Sequence, residues 1–405
     1  MTNFAAQPLS NIKVVDFSWV GAGSYTTRIL ADLGADVVKI ESSKRIDQIR
    51  VTPPFKDGVP GVNRSGYFAD RNAGKRSIAV NLKTPEGLEL ALSLIEDANI
   101  VANNFAPGTM DRLGLGYEDV RVRRPDVIYL EMSMQGRDGP NARHVGYGLT
   151  IGALAGLQHL VGEDGRPPIG TGTNYPDHIP SPGHAAFAIL SALRHWRRTG
   201  EGQYIEISQT EATACVLGDA FMAESVGVHQ DPQANDEATA IVHDTFRTAV
   251  TEEWIAISVY TQDEWRALTH VLGISTAVDA NWVTNTAPGS EHAVREWIET
   301  GTTRWRAAEL MERLQSAGVR AGVVQTARDV VDSDPQLRHR GHWLRLPHPE
   351  VGSFLYNALP LRCAQWPVAP RFGAPCLGEH TMQVLSAAGL EPSEIDKLRA
   401  AGVLE

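Results

Sequence analysis

The sequence predicts an α/β fold with parallel strands, and two observations carry that expectation. The first 40 residues read as strand, glycine turn, helix and strand, and short β-branched runs keep alternating with amphipathic helical stretches to about residue 207. A strand–helix–strand unit of this length joins parallel neighbours, because antiparallel ones need only a tight hairpin.

The elements follow in order. Ile12 to Phe17 is a β-branched strand, and Gly21-Ala22-Gly23 breaks it. Tyr25 to Leu33 has helical spacing and stops at Gly34, a residue suited to the left-handed position that ends a helix. Ala35 to Ile40 is the second strand and Ser77 to Leu82 the third. Thr84, followed by Pro85 and Glu86, opens a helix to Glu96, since a threonine cap and a proline in the first turn satisfy a helix start. Ile100 to Asn103 and Asp126 to Met132 are further strands. A proline-rich loop leads into a long helix from about His184 to Arg197, and Thr199 to Gly202 turn the chain into the strand Tyr204 to Ile207.

Residues 226–240 are polar with few large apolar side chains, which marks an exposed connection and a domain boundary. Beyond them the pattern is α+β. Trp254 to Val259 reads as a strand, with helices around 262–272, 293–300 and 303–318, then a strand from Val319 to Val324. The tail carries short turns and a final helix near 380–389.

The 405 residues hold 37 Lys+Arg against 48 Asp+Glu, a net charge of −11, so the chain lacks the basic excess of a nucleic-acid binder. Clusters such as Arg121, Arg123 and Arg124 remain able to meet a small anion. Cys215, Cys363 and Cys376 are scattered and form no CxxC pair, which argues against a disulfide framework or a cysteine zinc site and fits a reducing compartment. The N-terminus shows no basic region followed by an apolar run, and the most apolar stretch, beginning at Leu149, is too short to span a bilayer. A cytoplasmic protein without membrane or nucleic-acid partners is the expectation.

Chemistry-bearing motifs are few. Gly21-x-Gly23 with Glu41 resembles a dinucleotide turn, but Thr26 stands where the third glycine belongs. His178 with His184, and His339 with His342, lack a third metal ligand in sequence. No Walker A motif or nucleophile elbow is present. Asp177 lies in a loop of three prolines that feeds the long helix; a carboxylate there reads either as the helix N-cap or as a nucleophile. Asn104, Phe105, Thr109 and Arg112 cluster after a strand, and Lys75 and Arg76 precede another, positions that suit an anionic ligand in an α/β crevice.

As an ordered set, several segments resemble the family III (CaiB/BaiF) CoA-transferases, which include formyl-CoA:oxalate and carnitine CoA-transferases and α-methylacyl-CoA racemases. They are Val14-Val15-Asp16-Phe17, Leu33 to Glu41, Asn72 with Lys75 to Ile78, Asn104 to Gly114, Thr199 to Gln203, Asp334 to Leu337 and His348-Pro349. The resemblance implies a large Rossmann-like domain from residues 1–225 and 326–405, a smaller α+β domain from 226–325, and an interlocked dimer, with a heteromer as the alternative. It implies Asp177 as the catalytic carboxylate, carrying CoA as an aspartyl thioester between a donor such as succinyl-CoA and an acceptor acid. CoA would be a substrate, with no tightly bound cofactor or metal. Contacts carried over are the backbone of Val20, Gly21 and Ala22, with Lys75, Asn104, Phe105, Thr109, Arg112, Leu113 and Tyr147.

Four departures stand out. Gly21 occupies the place of a first-loop glutamine in formyl-CoA transferases, and Ser42 that of an arginine, for which Lys44 or Arg45 could substitute. The glycine-rich flap is missing, with His243 to Phe246 near its expected place. Tyr147 stands where racemases have a histidine base, which favours transfer over racemisation, with a racemase or a non-catalytic subunit as alternatives. Trp19, Tyr25, Tyr147 and Tyr175 are expected to border the site and to favour a bulky acid over oxalate.

Overall fold

The computed structural model describes residues 7–237, 239–274 and 291–405. The first six residues, on which the reading of the N-terminus partly rests, lie outside them.

Six strands form one parallel sheet: β1 (Lys13–Asp16), β2 (Asp36–Glu41), β3 (Arg76–Ala79), β4 (Ile100–Asn103), β5 (Ile128–Ser133) and β6 (Gln203–Ser208). Their order is β3-β2-β1-β4-β5-β6, the doubly wound arrangement in which strand order reverses between β1 and β4. The strands are apolar at successive positions because both faces are covered. Val15, Val38, Ile40, Val101 and Tyr129 face one core, with Leu90 and Ile95 of the helix Pro85–Glu96 and with Val384, Leu385 and Ile395 of the tail. Their neighbours Val14, Val37, Ile100, Ile128 and Leu130 face the other core, with Leu30 and Ala31 of α1 (Ala22–Asp32) and with Ala185, Ile189 and Leu193 of the long helix Pro180–Thr199. Each such Val, Ile or Leu, fully buried, stabilises the fold by ~1.5–3 kcal/mol.

Local signals act as expected. Gly34 takes a φ of +105° just past α1. The Thr84 hydroxyl accepts the Gly87 N–H at 3.1 Å. α1 and the long helix both begin earlier than periodicity indicates, at Ala22 and Pro180, because their first turns are glycine- or proline-rich and carry little periodic signal.

The chain divides into two compact units. The first holds the six-stranded sheet, the tail from Gln336, and an antiparallel hairpin of β10 (Trp343–His348) and β11 (Gly352–Asn357). The C-terminus closes against the edge strand: Asn81 donates its N–H to Val403 O at 2.9 Å, and Glu405 donates to Ala79 O at 3.1 Å.

The second unit comprises residues 231–335 with the excursion 160–168, which composition does not mark. Its antiparallel sheet has the order β7 (Val242–Arg247), β8 (Trp254–Val259), β9 (Arg320–Val323). Phe246, Ile255 and Val259 pack there against Trp265, Leu268, Ile298 and Leu310 of three helices. The segment His243 to Phe246 is therefore strand rather than flap, and Asp244 is ion-paired with Arg295. No helix among the described residues is long and apolar enough to cross a membrane.

Candidate active site

A doubly wound sheet leaves a crevice at the carboxyl ends of its strands where the order reverses. A cleft of about 270 Å³ lies there, between the loops after β1 and β4. Trp19, Val20, Gly21 and Ala22 line it from the first loop, and Asn104, Phe105 and Pro107 from the second. Tyr147 and Asp177 complete the wall.

The first loop is clamped from three sides. Ser18 donates its N–H to Asp16 Oδ1 at 2.9 Å. Asn104 accepts the Trp19 N–H and donates to the Trp19 carbonyl, both at 2.8 Å. Asp47 Oδ1 accepts the Val20 N–H at 3.0 Å. These bonds hold Val20 at a φ of +57°, a strained conformation for a β-branched residue. The turn delivers Gly21 against Asp177 with no side chain between them.

Below the loop lies a buried charge network. Lys39 pairs with Asp47 at 3.1 Å and donates to the Ser18 carbonyl. Lys75 donates to Asp16 Oδ2 at 3.0 Å, Ser24 O at 2.8 Å and Asn72 Oδ1 at 2.9 Å, which spends all three of its protons. Burial pulls its pKa down to about 8, with Asp16 opposing. Burial pushes the Asp16 carboxyl up, but Lys75 and Lys39 outweigh it and hold the pKa below its ordinary value. Lys75 is thus enclosed in the frame of the loop and does not reach the cleft, which corrects its expected place as a phosphate contact.

Asp177 is not a helix cap. It sits in the short helical turn Tyr175–His178, and the long helix is preceded by Ile179 without a side-chain cap. Its Oδ2 accepts the N–H of Gly148, the first residue of the helix Gly148–Leu154, at 3.0 Å. Burial raises its pKa to about 6; the Gly148 N–H and the positive charge of Arg71 pull the other way. A buried carboxylate with one fixed donor and an open side toward a cleft can act as a nucleophile that ionises near neutrality.

The other expected residues divide. Val20, Gly21, Ala22, Asn104, Phe105, Tyr147 and Asp177 share the cleft. Thr109 and Arg112 stand one turn beyond it, on the helix Thr109–Arg112, where Arg112 is exposed and donates to Thr109 Oγ1 at 3.1 Å. Leu113 packs on the core of the sheet. Lys44 pairs with Glu405 at 3.2 Å and is drawn to the C-terminus. Trp19 lines the cleft, edge-on to Phe105 at 5.6 Å, whereas Tyr25 lies under the Arg71 guanidinium, and neither it nor Tyr175 borders the cleft. The Tyr147 hydroxyl donates to Gln48 Oε1 at 2.8 Å. Met134, Gln209 and His144 also line the cleft and carry no sequence motif; the first two follow the ends of β5 and β6, so the strand-end rule would have found them.

Comparison with known proteins agrees with this geometry. Residues 9–381 match the model of CoA-transferase family III. The succinate–glutarate CoA-transferase of Agrobacterium fabrum is 32% identical over 385 residues, covering 94% of this chain and 95% of that protein. The succinyl-CoA:mesaconate CoA-transferase of Haloarcula marismortui is 32% identical over 396 residues, covering 95% and 97%. A CaiB/BaiF family protein from Brucella suis superposes with a TM-score of 0.85 at 29% identity, over 95% of this chain and all of that one. On its sequence, its sheet order and these relatives, the chain belongs to CoA-transferase family III.

Proposed function

We propose that this protein moves CoA from an acyl-CoA donor, succinyl-CoA, to a carboxylic acid, with Asp177 as the carrier. One observation carries the reading: a buried carboxylate with a raised pKa faces the switch-point cleft of a family III fold.

The Asp177 carboxylate attacks the thioester carbonyl. The C–S bond breaks, leaving a mixed anhydride and CoA thiolate. The thiolate then attacks the aspartyl carbonyl, releasing the donor acid and forming an aspartyl-CoA thioester. The acceptor carboxylate attacks that thioester, expels the thiolate and forms a second anhydride. Attack of the thiolate on the acceptor's carbonyl yields the new acyl-CoA and frees Asp177. Thioester replaces thioester, so no ATP is consumed. Phe105 and Trp19 offer apolar contact to the pantetheine arm, and Arg112 a phosphate contact at the rim. Remote CoA contacts supply binding energy that is used at the reacting carbonyl. Relatives named for succinyl-CoA, glutarate and mesaconate support a short acid as acceptor.

Incubation with succinyl-CoA, borohydride reduction and peptide mass spectrometry tests the assignment. A reduced residue on the Asp177 peptide supports it, and an unmarked peptide under turnover refutes it.

His144 lines the same cleft, which keeps a racemase reading open with Asp177 and His144 as paired bases. Exchange of the α-proton of a 2-methylacyl-CoA with solvent deuterium separates the two. We place the protein in the cytoplasm as a homodimer. Phe187 and Leu190 on the long helix, and Phe221 and Met222 on the helix Gly218–Ser225, are exposed apolar side chains that a second copy would cover. Light scattering after gel filtration checks the assembly, and a second gene product at equal stoichiometry would mark the heteromeric alternative.

A further inference from the structure

Asp177 lines one cleft, and its chain neighbours Asn174 and His178 line a second. The first is the switch-point cleft already described. The second, of about 780 Å³, is lined by Tyr67, Asn174, His178, Leu149, Ile169 and Thr171 among others. Asn174 and His178 flank Asp177 in the chain, and the Tyr67 hydroxyl lies 3.4 Å from where a Cβ on Gly21 would stand, beside the Asp177 carboxyl.

Two polar groups of this cleft are unspent. His178 Nδ1 and the Tyr67 hydroxyl are buried and make no hydrogen bond of good geometry, with the Asp177 backbone beside the first and the Asn174 side chain beside the second. Buried polar atoms in such a state cost free energy unless a ligand satisfies them. Burial, with Arg71 adding to it, lowers the His178 pKa to about 4, so the ring is neutral at pH 7 and can donate from Nδ1. Burial likewise raises the Tyr67 pKa, so its hydroxyl keeps its proton.

Asp70 borders the cleft, but its carboxylate is held by Arg28 at 3.1 Å and by Arg71. Two neutral donors suit a carboxylate better than a methyl group.

We propose that this second cleft receives the remote end of the acyl group being exchanged, and that His178 and Tyr67 are specificity-determining residues that select a terminal carboxylate. The substrates are then short dicarboxylic acids and their mono-CoA esters. One carboxyl reacts at Asp177 while the other is hydrogen-bonded by His178 and Tyr67. This inference rests on the transferase reading above.

Glutarate and pentanoate have five carbons each and differ in the remote carboxylate, so they form the test pair. The full-length protein is assayed with saturating succinyl-CoA as donor, as wild type, His178→Leu, His178→Asn and Tyr67→Phe. His178→Leu is expected to lower kcat/KM for glutarate about 10–100-fold through KM, to change pentanoate less than about twofold, and to be partly rescued by His178→Asn. Tyr67→Phe is expected to act in the same direction, by about tenfold. An equal fall for both acids, or an unchanged preference, overturns the proposal. Equilibrium dialysis of labelled glutarate and pentanoate gives a readout that needs no turnover. Glutarate binding that depends on His178 without any exchange overturns the transferase reading alone. Glutarate binding indifferent to His178 overturns the subsite.

Discussion

A Cβ on Gly21 would lie 2.9 Å from the Cβ of Asp177, closer than side-chain carbons pack. Position 21 is therefore what allows the β1 loop to meet the carboxylate directly. Gly21→Ala forces either the strained loop or Asp177 to move. A shift approaching 1 Å at a reacting group costs up to about 100-fold in rate. We expect kcat to fall about 10–100-fold while KM for the CoA ester changes little, as steady-state kinetics will show. An unaltered kcat would mean that the two segments separate without consequence.

Asp177→Asn tests both chemistry and stability. The amide keeps an acceptor for the Gly148 N–H but cannot form an anhydride, so the covalent adduct disappears. The folded pKa of about 6 exceeds the ordinary value of 3.8, so the group favours folding at acid pH and loses that contribution as pH rises through 6. Above that range the wild type carries a buried charge that Asn avoids. The variant is expected to be more stable at pH 7.5, by on the order of 1–3 kcal/mol, with the gain shrinking by pH 4.5. Urea unfolding at the two pH values measures it, and a loss of stability at pH 7.5 would contradict the burial argument.

The same pKa sets the pH profile of the first half-reaction. Only the ionised carboxylate attacks. Single-turnover adduct formation from succinyl-CoA should rise with pH, reach half its maximum near 6 and level off above 7. A profile already flat at pH 5 would show an Asp177 of ordinary acidity.

Lys75 and Arg112 should part company, although both sit in segments that resemble CoA-binding ones. Lys75→Met leaves Asp16 buried without its partner, so it should cost about 3–5 kcal/mol of stability. Arg112→Ala removes an exposed cation at the rim and should leave stability unchanged while raising KM for the CoA ester about tenfold. Chemical denaturation and initial-rate kinetics on the two variants decide this. A stable Lys75→Met protein with a raised KM would restore Lys75 as a ligand contact.

Much of the fold was legible in the chain. Val14-Val15, Val37-Val38 and Ile100-Val101 declare strands covered on both faces, and the glycine and proline breaks between them declare parallel crossovers. The resemblance to family III, carried by ordered motifs at strand and helix ends, pointed to Asp177 and the loop residues Val20 to Ala22, Asn104 and Phe105, whereas the residues alone left Asp177 as either cap or nucleophile. The strands Val242–Arg247, Trp343–His348 and Gly352–Asn357 did not stand out in sequence, since partly exposed antiparallel strands mix polar and apolar residues without long apolar runs.

What only folding decided is where the charges go. Lys75 and Arg112 are both cations in turn segments, yet one is sealed beneath the first loop and the other faces water. In sequence His178 shows only that it and His184 lack a third metal ligand, whereas the structure buries its Nδ1 at a second cleft. Strand periodicity is a local property, set by which neighbours in sequence are apolar. Burial of a charge, its partners and its pKa depend on segments far apart in the chain, such as Asp16 with Lys75 or Gly148 with Asp177, and those meet only when the sheet and its loops have assembled.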